Sequence, residues 1–129
     1  MEVSVGRASS PTHAILLVDD SIVTRAPLAD LLRAIGYLVL EAATSDDALD
    51  LLNSRLEIDT LVSQEQVPGS MGGLALADWV RRTRPAVRVL VVSDQEQAPD
   101  VPDKEIVVLL QPFSFAALRV LLPPIGSGP

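Results

Sequence analysis

The chain has 129 residues, room for one domain around a single core and little more. Apolar residues make up 48% and aromatics 3%, so the core must be built from Leu, Val, Ile and Ala, a composition that suits a sheet buried on both faces. The lack of cysteine excludes a disulfide framework and a thiolate metal site and fits a cytoplasmic setting. The net charge of −7 argues against a nucleic-acid partner, and no apolar run reaches the roughly 18 residues of a membrane span.

Residues 1–12 are rich in Ser, Gly and Pro and read as a flexible leader, with no apolar stretch of the signal-peptide kind. Residues 13–122 read as one domain, and 123–129 as a flexible tail. The first strand is Ala14 to Val18, followed by Asp19 and Asp20. Leu28, Leu31, Leu32 and Ile35 then recur at helical spacing, with Pro27 early in the helix and Gly36 as its stop. A short strand, Leu38 to Glu41, leads to a helix that Thr44 can cap, Asp47 being the acidic partner three residues on. The third strand is expected from Ile58 to Ser63, and a helix from Gly73 to Thr83 turns Leu74, Ala77 and Val80 inward. Val87 to Val92 has the unbroken β-branched character of a buried parallel strand. Asp94 to Lys104 carries Pro99 and Pro102 without helical periodicity, so the fourth helix is expected to shrink to a turn or loop. Ile106 to Leu110 is the fifth strand, and a last helix from Ser114 is cut short by Pro123.

Five strands alternating with helices predict a doubly wound, five-stranded parallel α/β sheet with right-handed crossovers and shortened fourth and fifth helices. Ligands of such sheets sit at the carboxyl ends of the strands. Those ends offer Asp19 and Asp20, then Gln64 and Glu65, then Ser93, then Gln111 and Pro112. Adjacent carboxylates suit a hard cation such as Mg²⁺. They equally suit two turn residues capping the next helix.

The run Ile15-Leu16-Leu17-Val18-Asp19-Asp20, the Pro68-Gly69 loop after the third strand, Ser93 after the fourth, and Pro112-Phe113-Ser114 after the fifth stand in a specific order. Together they resemble the CheY-like receiver domain of bacterial two-component response regulators, over about residues 13 to 122. The loop Pro68 to Leu74 is similar to a longer variant found in some receivers of hybrid sensor kinases. The resemblance implies a flavodoxin-like (βα)5 fold and a role in phosphorelay signal transduction. It also implies that Asp19 and Asp20 match the Mg²⁺ ligands and Ser93 the residue that hydrogen-bonds the phosphoryl group.

Two positions depart from that pattern. The phosphoacceptor aspartate, four residues before the loop proline, is Gln64, and the lysine before the Pro-Phe pair is Gln111. An amide supplies no anion to attack phosphorus or hold Mg²⁺, and the missing lysine removes an electrostatic clamp. The expected protein is therefore a stand-alone pseudo-receiver with a degenerate pocket of Asp19, Asp20, Gln64, Ser93 and Gln111. It has no catalytic residue, and weak Mg²⁺ binding at most through Asp19 and Asp20. The paired amides Gln64 and Gln111 can hydrogen-bond each other across the pocket. With no lysine, the charge of Asp19, Asp20 and Glu65 is unbalanced unless a cation or Arg25 compensates. Strand alternation puts Gln64 and Glu65 on opposite sides, which makes Glu65 a solvated loop acid rather than a mimic of the phosphorylated state.

The fifth strand carries Val108 where the resemblance places a switching aromatic, and Gln111-Pro112 is expected to be a cis peptide. Val108, Phe115, Val120 and Leu122 are candidates for an interaction face; some belong to the core, and the rest imply a signalling partner (a sensor kinase or downstream regulator) or a homodimer. His13, Trp79 and the arginines Arg81, Arg82 and Arg84 are read as structural or solvated. Two alternatives compete: a receiver still phosphorylated or metal-regulated through an unusual acceptor, and a small-ligand domain on the same fold. The second lacks a glycine-rich phosphate loop after the first strand.

Overall fold

The computed structural model describes residues 13–125. Strands β1 (Ala14–Val18), β2 (Leu38–Ala42), β3 (Thr60–Gln64), β4 (Arg88–Ser93) and β5 (Ile106–Leu110) form one parallel sheet in the order β2-β1-β3-β4-β5. Helices α1 (Ile22–Ala34), α2 (Ser45–Leu52), α3 (Gly73–Thr83) and α4 (Phe115–Arg119) complete it. This is the doubly wound arrangement expected from the alternation of segments.

Every residue of β1 is buried, because both faces of this interior strand are covered. Leu16 and Val18 join Leu61, Val89 and Val91 on one face, beneath Ala48 and Leu52 of α2 and Leu76, Ala77 and Val80 of α3. Ile15 and Leu17 join Val62, Leu90 and Val92 on the other, beneath Ala29 and Leu32 of α1 and Leu118 of α4. The two-residue period of a strand thus feeds two cores.

Local signals set the boundaries. Gly36, at φ 115°, ends α1: its N–H bonds the Arg33 carbonyl and the Tyr37 N–H bonds that of Leu32, a pairing open to a residue free to adopt positive φ. The hydroxyls of Thr44 and Ser114 accept the N–H groups of Asp47 and Ala117 and cap α2 and α4. Pro27 sits inside α1, as expected, and Leu31 is half-exposed rather than inward.

Between β4 and β5 there is no helix, and the Pro-containing segment is instead fastened by Arg81 to Asp103 (3.2 Å) and by Val101 against the α2–α3 core. The leader, residues 1–12, lies outside the described residues, as do 126–129. The first three residues of the expected tail are anchored: the Tyr37 hydroxyl donates to the Pro123 carbonyl, and Ile125 packs against the α1–α4 core.

Candidate functional site

The strand order reverses between β1 and β3, so their carboxyl ends open onto the crevice of the fold. Asp19 ends β1 with a buried carboxylate. Its Oδ1 accepts the Ser21 N–H (2.9 Å) and its Oδ2 accepts the Thr24 hydroxyl, so Asp19 caps α1, where the Ser21 side chain makes no cap bond. Asp20 is exposed. Arg25 does not balance this acid pair: its Nη1 donates to the Asp19 carbonyl (2.6 Å) and its Nε to Glu41 Oε1 (3.0 Å). Arg33 bonds the other oxygen of Glu41 at 3.1 Å. Burial pushes the Glu41 carboxyl upward, but the two guanidiniums outweigh it and hold the group below its ordinary value.

Beyond Asp19 and Asp20 opens a cleft of about 250 Å³, lined also by Gln64, Glu65, Gln66 and Asp94. Gln64 closes β3 one residue later than the sequence suggests. Glu65 is half-buried and borders the cleft, where its carboxylate has a partner within the chain. Gln64 pairs with Val92 across β3 and β4, so the residues that follow them, Glu65 and Ser93, fall side by side; the Glu65 N–H bonds Val92 O (2.7 Å) and its carbonyl accepts the Gly73 N–H (2.9 Å). This backbone path brings the carboxylate to the fully buried Ser93, whose hydroxyl donates to Glu65 Oε1 at 2.6 Å. Ser93 Oγ also accepts the Gln95 N–H at 3.2 Å.

Gln111 follows β5, and its N–H bonds the Ser93 carbonyl at 2.8 Å; the peptide to Pro112 is cis, as expected. Gln64 and Gln111 border one apolar hollow beside α1, with Val23, Leu31 and Phe113, but no hydrogen bond joins their amides. The expected amide pair is therefore absent: Gln111 lies largely exposed past the end of β5, and only its backbone is tied inward.

Of the expected interaction face, Leu122 is core, Phe115 packs partly against the same core, and Val108 is half-buried opposite Val91. Val120 stands 81% exposed. Sequence reasoning passed over Ile22 and Val23, 63% and 78% exposed at the start of α1, because they precede the periodic leucines. It also missed Thr24, although an acid placed before a Ser-x-x-Thr helix start is a capping signal. Among the remaining residues, Arg81 is not part of a solvated helix end: it is only 16% exposed and is held by Asp103 and the Pro85 carbonyl. His13 Nδ1 lies 2.8 Å from Asp59, and Arg82 pairs with Asp78. Arg84 reaches Asn53 and stacks over Trp79.

A family model of the response regulator receiver domain matches residues 15–106. The chain belongs to that family. Over 114 residues this receiver is 32% identical to the sensor kinase CckA of Brucella abortus (strain 2308), a stretch covering 84% of the chain but only 12% of the kinase. Its fold is similar to the receiver domain of the hybrid histidine kinase CckA, with a TM-score of 0.68, 32% identity, and 83% and 93% of the two chains covered. It is similar also to the signal receiver domain of an HD domain-containing protein from Pseudomonas fluorescens Pf-5, with a TM-score of 0.76 and 27% identity over 86% and 91% of the chains. The receiver is thus a signalling domain of the two-component type, and among the described residues no helix is long and apolar enough to cross a membrane.

Proposed function

We propose that this receiver relays signals by protein contact without accepting a phosphoryl group. The observation that carries the reading is Gln64. It ends β3 in the acidic cleft with Asp19 and Asp20, where the receiver pattern calls for the acceptor carboxylate. An amide there forms no acyl phosphate, and Gln111 supplies no cation to a transferring phosphoryl group. Metal binding is weak for a related reason. Both oxygens of Asp19 are already engaged, by Ser21 and Thr24, and Gln64 adds no charge to a hard cation.

The protein is accordingly no enzyme, and its partner is a sensor kinase or a downstream regulator, or a second copy of the chain. Val120, with the exposed Ile22 and Val23, supports a contact role; nucleic acid and membrane are not expected as partners.

Amide NMR with Mg²⁺, and then with Mg²⁺ plus beryllofluoride, tests the proposal. Silence of the Gln64, Ser93 and Gln111 amides in the second step is expected. Saturable beryllofluoride shifts at these positions overturn it. The double variant Gln64→Asp/Gln111→Lys is the positive control and regains the response.

A further inference from the structure

Resting on the acceptor-less pocket proposed above, we infer that Glu65 is a built-in ligand of the Ser93 hydroxyl and locks the ends of β3, β4 and β5 into one conformation. Ser93 is fully buried, and a buried hydroxyl needs a partner. Its donor goes to a carboxylate at 2.6 Å, the short separation of a charge-assisted bond. Its oxygen accepts from Gln95, which orders the start of the segment leaving β4.

The same two residues hold their neighbours through the backbone. Glu65 bonds Val92 of β4 and Gly73 at the head of α3, and the Ser93 carbonyl bonds Gln111 past β5. One side-chain bond therefore closes a circuit through three strand ends. Nothing in that circuit waits for an incoming group, because the anion that holds Ser93 is part of the chain. Glu65 follows Gln64 as Ser93 follows Val92, the ladder partner of Gln64, and this register sets the two side chains together. Val108, with no ring to swing, lies in the strand this circuit immobilises. The receiver then presents a single, constitutive form of its β4–β5 end to a partner. Switching would have to come from elsewhere, such as the amount of the protein or of its partner.

A double-mutant cycle on the full chain tests this. Glu65→Ala, Ser93→Ala and the double variant are compared by chemical denaturation, alongside amide NMR spectra. A hydrogen bond to a charged group corresponds to a coupling of about 10-fold or more in the folding equilibrium. The double variant is therefore expected to lose about that factor less than the product of the two single-variant effects. In Glu65→Ala the Gln95, Leu110 and Gln111 amides are expected to shift or broaden, although none hydrogen-bonds residue 65. Glu65→Gln keeps an acceptor and restores the wild-type positions of these amides in large part.

Additive effects, or shifts confined to residues 64–73, overturn the lock. The wild-type beryllofluoride experiment is separate from this cycle. A response there sinks the acceptor-less pocket, whereas an additive cycle with a silent pocket sinks only the role of Glu65.

Discussion

Two adjacent glycines at the head of α3 are expected to respond to substitution with opposite signs. A Cβ on Gly73 would lie 1.9 Å from the Gln64 carbonyl oxygen and 2.7 Å from that of Glu65, both backbone atoms. Clearing the first contact requires the end of β3 to move by roughly 1 Å, an overpacking that costs about 1–3 kcal/mol. The better helix propensity of alanine offsets at most about 1 kcal/mol of this. Gly73→Ala is therefore expected to lower Tm by several degrees, at roughly 3–5 °C per kcal/mol for a domain of this size. It also displaces the Gln64, Glu65 and Ser93 amides in NMR spectra. A Cβ on Gly72 meets nothing closer than the Glu65 carbonyl at 4.0 Å, and φ there is −78°. Gly72 is the N-cap, a position that favours serine, so Gly72→Ser is expected to be neutral or to stabilise by a few tenths of a kcal/mol. Thermal melts and amide spectra of the two variants are the assay. A Gly73→Ala protein with an unchanged Tm and unshifted Gln64–Gln66 amides refutes the close approach of α3 to the strand end.

The other predictions concern the core and two titrating groups. Leu118, fully buried in the short α4, is expected to cost about 2–5 kcal/mol on truncation to alanine in urea denaturation, whereas exposed Val120→Ser stays within about 0.5 kcal/mol. Burial pushes the phenol of Tyr37 above its ordinary value, against the opposing pull of Arg119 and Arg88. As the chain has a single tyrosine, ultraviolet titration reads it directly and is expected to show ionisation later than for free tyrosine. Since the folded value is the higher one, the contribution of the phenol to stability is complete below the ordinary value and is lost as pH rises through the folded one. Glu41 has the reverse sign: its folded value is lowered, so its contribution is present above the ordinary carboxylate value and is lost as pH falls through the folded one. Glu41→Gln is expected to flatten that acid limb in a stability-versus-pH series, and an unchanged limb would exclude the Arg25–Glu41–Arg33 cluster as its source.

What was legible in the sequence follows from the range of the forces involved. The five strands and the first three helices declare themselves through period and capping, which act over a few residues: Thr44, Ser114 and Gly36 each do locally what their residue type suggests. The missing helix before β5 was equally readable, from Pro99 and Pro102. The pocket residues were placed at strand ends by the fold alone: Asp19, Asp20 and Gln64 share the cleft, whereas Ser93 bonds Glu65 and the Gln111 side chain lies exposed past β5. The pairings among them were not legible. Alternation says nothing of what Glu65 meets: the bond from Ser93 spans 28 residues and depends on where β4 lies beside β3. Gln64 and Gln111 have matching chemistry and adjoin one hollow, yet complementarity of type did not bring the amides together.

The charges that positions 64 and 111 carry in the receiver pattern are expected to depend on each other without touching. Asp19, Asp20, Glu65 and Asp94 already line the cleft, and the Arg25 guanidinium is committed to Glu41 and to the Asp19 carbonyl. An aspartate at position 64 would add a further anion with no cation to meet it, and like charges in a shared site disfavour ionisation of both. A lysine at position 111 supplies that cation, as the receiver pattern does. Loss of either charge of the receiver pattern's Asp–Lys pair therefore leaves the other unfavourable, and two amides keep the net charge of the two positions at zero without the chemistry. Stability is accordingly expected to fall in Gln64→Asp and to recover in Gln64→Asp/Gln111→Lys. Equal stability of the two variants would mean that the acids of this cleft are too well solvated to sense one another.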